Sequence, residues 1–414
     1  MNQHVSPPAG AGTDAFDAAT VLPPASVDAA APVRFARAFG AHLARQATSR
    51  ERAGVRPTEE VAILKSSGLV NLLIPERFGG LGATIPTALQ VLVELSRGDA
   101  SIGALLCYHY TNSGVGRLFD IDGDAEALER RSAAERWFWG NVSQPGARGL
   151  KARPDGDGFR LNGVKHWSTG PSLADVTTVL SHRDDVAELL YAYIPADRQG
   201  LRYDNDWDHL GLRRAETVTI GFDNVEVRPE EVFKSSYGPV TSFPPLYVAI
   251  GELYFASVYL GSTLGALDAA SAYAREHGRP APGSGVERAT GDPYLLHQFG
   301  SFWTDAEAGA AFLRQVAEEV QDGFDRRRTI TQPERAALGV RASAVRAFLT
   351  KVGLDVTPRV YELTGARASH NDFGFDRFWR DIRIHTLHDS QHYKLRAIGD
   401  FALNGEAHEP PSFA

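Results

Sequence analysis

The chain has 414 residues, a formal net charge of −8, and 43% hydrophobic against 23% charged residues, a balance that suits a globular protein and excludes wholesale disorder. A chain of this size buries roughly 75% of its unfolded surface and is expected to form two or three domains. No block of basic residues gives a nucleic acid an electrostatic footing, and no run approaches the ~18 apolar residues of a membrane span.

Residues 1–33 are rich in Ala, Pro and Gly and contain no Lys or Arg, so they read as a flexible N-terminal arm and not as a targeting segment. A helical domain is expected over 34–136. Its stripes are Phe35, Phe39, Leu43 and Ala44; Val61, Leu64 and Leu69 after Pro57-Thr58; Leu89, Leu92, Val93 and Leu95; and a helix opening at Ala100-Ser101 and running to about Leu118. The single cysteine, Cys107, lies there; it excludes an intrachain disulfide or a cysteine zinc site and fits a reducing cytoplasm.

The pattern changes over 137–235. Phe159 to Gly163 followed by Val164 to Trp167 predicts two strands about an Asn162-Gly163 turn. Further strands are expected at Asp175–Leu180, Leu189–Ile194 and Thr217–Phe222, giving a compact antiparallel β domain. From 236 to 414 helices return, with Leu246, Ile250, Leu253, Ser257, Leu260, Leu264 and Leu267 at helical spacing. After a Gly/Pro-rich gap over 277–293 come Tyr294–Arg326, Glu334–Leu363 and about Phe375–Leu403, which together predict a four-helix bundle. The fold class is therefore α+β: helical domain, β domain, bundle.

Four local patterns bear on chemistry. Pro75 to Gly82 is glycine-rich but lacks both GxGxxG and a following Lys-Ser/Thr, so it is a turn and not a phosphate cradle of those kinds. His385, His388 and His392 share one face of a predicted helix; a metal site, an acid–base imidazole and a hydrogen-bonded helix face are all open to them. Lys165-His-Trp167-Ser168-Thr169-Gly170 ends a strand with an indole and two hydroxyls, suited to a flat ring stacked on Trp167 and hydrogen-bonded at its edge. Cys107 and His109 are two apart on a helix and point away from each other, and no GxSxG elbow occurs.

In this order these residues resemble the acyl-CoA dehydrogenase fold over about 380 residues: Pro-Glu-x-x-Gly-Gly-x-Gly at 75–82, Asn-Gly-x-Lys-x-Trp at 162–167, and the four-helix end. Within that fold the chain is most similar to flavin-dependent monooxygenases of the dibenzothiophene monooxygenase type. The segments that carry this are Tyr108-His-Tyr-Thr-Asn112, Gly140-Asn141, Asn205-Asp-Trp207, Val258-Tyr-Leu-Gly261, Asp292-Pro-Tyr294, Gly365-Ala-Arg367, Gly374 to Arg380 and His385-Thr-Leu-His388-Asp389. The resemblance implies a homotetramer that takes reduced FMN from a separate NAD(P)H:flavin reductase, with FAD as the other candidate flavin and no metal. Oxygen then adds at flavin C4a, and the hydroperoxide oxygenates a small organosulfur compound, sulfide to sulfoxide or sulfone.

By the same resemblance the catalytic residues are His388, Tyr108, Asn141 and Thr169. The flavin is expected against Tyr108, Asn141, Ser143, Trp167, Ser168, Thr169, Ala366 and His388, with Arg279 and Arg367 at its phosphate. Trp207, His109, Asn112 and His385 are expected at the substrate, and segments 143–154 and 277–293 as lids. The chain also departs from the pattern. Common acyl-CoA dehydrogenases carry Tyr-Glu-Gly-Thr where this chain has Leu387-His388-Asp389-Ser390, which weighs against acyl-CoA oxidation, although Asp389 could serve as a shorter base. Some dibenzothiophene enzymes have a serine at the position of Thr169 and a histidine at that of Ala104. An FAD-dependent acyl-CoA dehydrogenase, an N-hydroxylating monooxygenase and a flavin-free scaffold are the competing readings.

Overall fold

The computed structural model describes residue 16 and residues 19–119, 125–144, 148–233 and 246–407. The chain opens with α1 (Ala25–Asp28), α2 (Ala31–Arg52), α3 (Thr58–Ser66), α4 (Ile85–Gly98), α5 (Ala100–Ser113), α6 (Val115–Phe119) and α7 (Ala125–Glu135). Local chemistry sets the boundary that matters most: Asp99 ends α4 and caps α5, its carboxylate accepting from Ser101 N at 2.9 Å. Most of the expected arm lies outside the described residues, but the part near the first helices is fixed. Leu22 is buried, and the Ser26 hydroxyl donates to Glu76 at 2.6 Å.

The middle region is one seven-stranded sheet: β1 (Trp139–Val142), β2 (Leu150–Asp155), β3 (Gly158–Thr169), β4 (Val176–Arg183), β5 (Leu189–Pro195), β6 (Leu201–Asp204) and β7 (Thr217–Val227). It is mixed, not purely antiparallel, because β4 runs parallel to both β1 and β2. The expected Asn162-Gly163 hairpin is also overturned. The hairpin turns at Gly156-Asp157, pairing Asp155 with Gly158, and Asn162 and Gly163 lie inside a continuous β3. Gly163 is there for another reason: its φ is +129°, and a Cβ would sit 1.9 Å from the Gly149 carbonyl oxygen. The strand shifts register against β7 at that point.

The C-terminal helices are α8 (Leu246–His277), α9 (Pro293–Arg326), α10 (Gln332–Arg359), α11 (Tyr361–Thr364), α12 (Asp376–His385) and α13 (Gln391–Asn404). α8 crosses α4 so closely that a Cβ on Gly261 would lie 2.4 Å from the Val93 carbonyl oxygen. One apolar cluster runs from Phe35 and Leu92 through Leu253 to Val345, so the N-terminal helices and the bundle share a core. The sheet keeps its own, around Leu161, Ile194 and Ile220.

The last predicted helix is not continuous. It breaks at residues 386–390, where Leu387 N and His388 N fall back on tight bonds to the carbonyls three residues earlier, Ile384 and His385, each at 3.2 Å. Thr386, Asp389 and Ser390 are poor helix formers, which favours the interruption. His385 thus ends α12, His388 sits in the turn and His392 is exposed on α13, so the three do not share one helical face.

Candidate active site

The ends of β1 and β3, the C-terminal half of α5, the start of α8, the middle of α10 and the 386–390 turn enclose a cavity of about 600 Å³, within the range of small-molecule sites. Asn141 and Thr169 are paired neighbours across β1 and β3 and both face it. Ser143 follows Asn141 and hydrogen-bonds Thr178 at 3.1 Å; Thr169 hydrogen-bonds Thr217 at 3.1 Å. Lys165 is buried behind them and donates to the Gln144 carbonyl, which fixes the Ser143-Gln144 segment; burial pulls its amine down to about 8. At the mouth Trp167 adopts φ +60° and is 53% exposed, its ring edge-on to Trp207 at 5.4 Å.

From α5, Tyr108 reaches into the cavity, and its hydroxyl lies 3.2 Å from Nε2 of His385. Burial raises the tyrosine and depresses the histidine, so the pair is neutral. The other nitrogen of His385, Nδ1, is buried without a partner. Phe255 packs against both site histidines, 4.6 Å from the His385 ring and 5.1 Å from that of His388. His388 is open to the cavity but enclosed by protein on its other sides. That enclosure, reinforced by the nearby Arg346 guanidinium and only partly opposed by Asp389, draws its pKa down to about 4. At neutral pH it is a neutral imidazole.

Beside His388 stands an ionic cluster that sequence reasoning missed except for Asp389. Arg346 Nη1 lies 2.8 Å from Glu252 Oε1 and 3.0 Å from Asp389 Oδ2. Lys394 Nζ bridges the same two carboxylates at 2.6 and 2.7 Å. The signal was available: Glu252 and Arg346 are charged residues inside otherwise apolar helical stretches, and such charges are buried only when paired. Asp389, held ionised by its two cations, is not free to act as a base.

Of the expected site residues, Tyr108, Asn141, Ser143, Trp167, Thr169, Trp207, His385 and His388 line this cavity. Six do not. His109 is buried against the sheet, with Nε2 at 2.8 Å from the Val70 carbonyl and Nδ1 accepting from Trp139 N at 3.0 Å. Asn112 also lies behind the wall, donating to the Tyr108 carbonyl at 2.6 Å and accepting from the Thr178 hydroxyl. Ser168 is buried in β3, its Oγ unpartnered.

Arg279, Ala366 and Arg367 are exposed at the other end of α8. From Phe255 to the end of that helix is about 33 Å at the helical rise, and Arg279 lies beyond it. Ala368, next to Arg367, packs in a cluster with Tyr273 at the same far end. Within one chain these arginines cannot reach the cavity.

The chain matches the models of the acyl-CoA dehydrogenase N-terminal domain over residues 31–127, middle domain over 143–225 and C-terminal domain over 253–392. It is 37% identical over 388 residues to a dibenzothiophene monooxygenase of Mycolicibacterium goodii, covering 90% of this chain and 94% of the relative. It is 32% identical over 382 residues to a probable FMNH2-dependent monooxygenase, SfnC, of Pseudomonas putida, covering 91% and 96%. The crystal structure of TdsC from Paenibacillus sp. A11-2 with FMN and indole superposes with a TM-score of 0.89 at 34% identity, over 93% of this chain and 100% of that one. The chain belongs to the acyl-CoA dehydrogenase family and, within it, to the group that includes the dibenzothiophene monooxygenases.

Proposed function

We infer that this protein is a flavin-dependent monooxygenase that uses reduced FMN and dioxygen to oxygenate a small organosulfur compound. The observation that carries the reading is the meeting of Tyr108, Asn141, Thr169 and a neutral His388 around one aromatic-walled cavity, in a chain related to FMN-using and dibenzothiophene monooxygenases. The cavity fits a flavin. It has room for a ring system, an indole at its mouth, and buried polar atoms without partners in Ser343 Oγ, His385 Nδ1 and Glu252 Oε2.

Asn141, Ser143 and Thr169 would hold the edge of the ring system. Reduced FMN, when bound, supplies the electrons that send one oxygen atom of O2 to the substrate and the other to water. Trp167 and Trp207 flank the mouth, where a bound flavin would complete the exclusion of water that such oxygen chemistry requires. His388, neutral and near His385, can donate its ring N–H in a hydrogen bond, or relay a proton by accepting one at its other nitrogen as it releases the first. With Asp389 locked between Arg346 and Lys394, no free carboxylate in the 387–390 turn is placed to remove a carbon-bound proton, which disfavours acyl-CoA dehydrogenation.

The reduced flavin is supplied by a separate NAD(P)H-dependent reductase in this reading. The protein works as a homotetramer, in which Arg279 and Arg367 of a neighbouring copy reach the FMN phosphate. Two observations support assembly. α13 has no buried residue in the single chain and leaves Leu403 85% exposed, and α9 leaves Tyr294 85% and Trp303 59% exposed.

The test is oxidation of a thioether by the purified protein with FMN, a flavin reductase and NADH, following product and hydrogen peroxide together. Wild type should give sulfoxide or sulfone. His388→Ala should lose product by on the order of 100-fold or more while still reducing oxygen to peroxide. FMN binding without oxygenation of any thioether would remove the reading, and an unchanged product yield in the variant would remove His388 from it. Arg279→Ala should weaken FMN binding by roughly 1.5–3 kcal/mol with the assembly intact by light scattering; unaltered affinity would place the phosphate elsewhere.

A further inference from the structure

Four charged side chains meet at the wall of the cavity from four separate segments: Glu252 from α8, Arg346 from α10, Asp389 from the 386–390 turn and Lys394 from α13. Arg346 is 2% exposed and Glu252 6%. Two cations and two anions cancel, so the cluster is neutral as a whole and adds no net charge to the cavity. Its desolvation is costly all the same, and a buried ion pair is weak evidence for stability alone. The arrangement calls for another account.

Its geometry converges on one side chain. Within the turn carrying His388, the backbone bonds of Leu387 N and His388 N are 3.2 Å each, at the long end of the range. Its one charged side chain, Asp389, is the residue next to His388, and both of its cationic partners come from other elements. Arg346 also stacks its guanidinium 4.8 Å over the ring of Phe255, whose centroid lies 5.1 Å from that of His388. The same guanidinium therefore holds both the residue next to His388 and the ring packed against its imidazole.

We propose that Arg346 is the positioning residue for His388, acting through Asp389 and Phe255, with Glu252 present to balance its charge and Lys394 to brace the turn from α13. The proposal deepens the reading of this cavity as the oxygenation site. The titratable or charged groups around His388 are Tyr108 on α5, Glu252 and Tyr259 on α8, Arg346 on α10, His385 on α12, Asp389 in the turn itself and Lys394 on α13. Among these the two cations disfavour an imidazolium and the two carboxylates favour it. Loss of Arg346 alone leaves the carboxylates in excess and the turn held from one side.

The experiment is a proton NMR titration of the His388 ring in flavin-free protein, its resonance assigned by loss in His388→Gln. Wild type should titrate below pH 5. Arg346→Gln should move the midpoint up by more than one pH unit, Arg346→Lys should return it most of the way, and Glu252→Gln alone should not raise it. If Arg346→Gln does not fold, Lys394→Met reads the same sign from the edge of the cluster. In turnover with reduced FMN and a thioether, the acid limb of product yield should move with the midpoint, while peroxide release rises several-fold. An unmoved midpoint in a folded Arg346→Gln or Lys394→Met variant overturns the proposal. A midpoint that moves as stated in a protein that oxygenates no thioether upholds it and removes the monooxygenase reading instead.

Discussion

Tyr108 and Thr111 face the cavity from α5, whereas His109 and Asn112, one step along the same helix, face the sheet. Successive residues of a helix are separated by about 100°, so this is the difference between two sides of one rod. On the sheet side the polar atoms are satisfied by protein: both nitrogens of His109, both ends of the Asn112 amide, and the Tyr110 hydroxyl on the Leu69 carbonyl at 3.0 Å. On the cavity side His385 Nδ1, Ser343 Oγ and Glu252 Oε2 have none. Each side is also backed by its own buried ionic cluster. Arg214 binds Asp99 and Glu60 behind the sealed face, and Arg346 binds Glu252 and Asp389 beside the open one. The contrast teaches that burial and charge do not by themselves mark a site; unspent hydrogen-bonding capacity beside a void does.

The comparison breaks most visibly at Arg214. Its guanidinium donates to Asp99 Oδ2 at 2.8 Å, to the Val55 carbonyl at 3.0 Å and to Glu60, and so ties the segment before β7 to the start of α5 and to α3. That segment carries Leu212 and Ala215 of the cavity wall. Arg214→Leu leaves two buried carboxylates without their main partner and should destabilise the fold by about 3–5 kcal/mol, measured by urea unfolding. The loss should be the same with or without FMN in the buffer. A stability within 1 kcal/mol of wild type, taken as roughly the size of an exposed pair, would mean that the sealed cluster is as dispensable as a surface one.

The same contrast explains what could be read from the sequence. Helix positions followed from apolar stripes, because burial of one face imposes a 3.6-residue period on any sequence. Of the expected stripe Phe35, Phe39, Leu43 and Ala44, the first three are buried and Ala44 is exposed. Asn162-Gly163 misled because a glycine required by a close backbone approach inside a strand looks the same, in one dimension, as a glycine required by a turn. The break at 386–390 was half legible: Thr386, Asp389 and Ser390 favour an interruption, but Arg346 and Lys394, which hold Asp389 from 43 and 5 positions away, meet it only in the folded chain. The resemblance named the segment 108–112 but not its two sides, since a family motif transmits identity and not direction. Arg279 and Arg367 were legible as phosphate-binding types, while the length of α8 that separates them from the cavity is a property of the folded chain.

His109 gives the smaller and sharper test of the sealed face. Its ring stacks on Phe138 with centroids 5.2 Å apart, and its two nitrogens are committed in the neutral form, Nε2–H to Val70 and Nδ1 to the Trp139 amide. A proton on Nδ1 would break the second bond inside a dry interior, and burial accordingly draws its pKa down to about 4, from 6.5 unperturbed. Between those values the unfolded chain binds a proton at this residue that the folded chain refuses. Stability from this group is therefore complete above about pH 6.5 and is lost as the pH falls toward 4. From pH 7 to pH 5 the loss amounts to about 2 kcal/mol. His109→Phe keeps the stack but leaves the Val70 carbonyl and the Trp139 amide unpaired, so it should cost about 1–3 kcal/mol at pH 7. Its unfolding free energy should then fall by about 2 kcal/mol less than that of wild type on going to pH 5. Equal slopes for the two proteins would mean that His109 titrates in the fold as it does in water, and that the sealed side of α5 is as open as the side that faces the cavity.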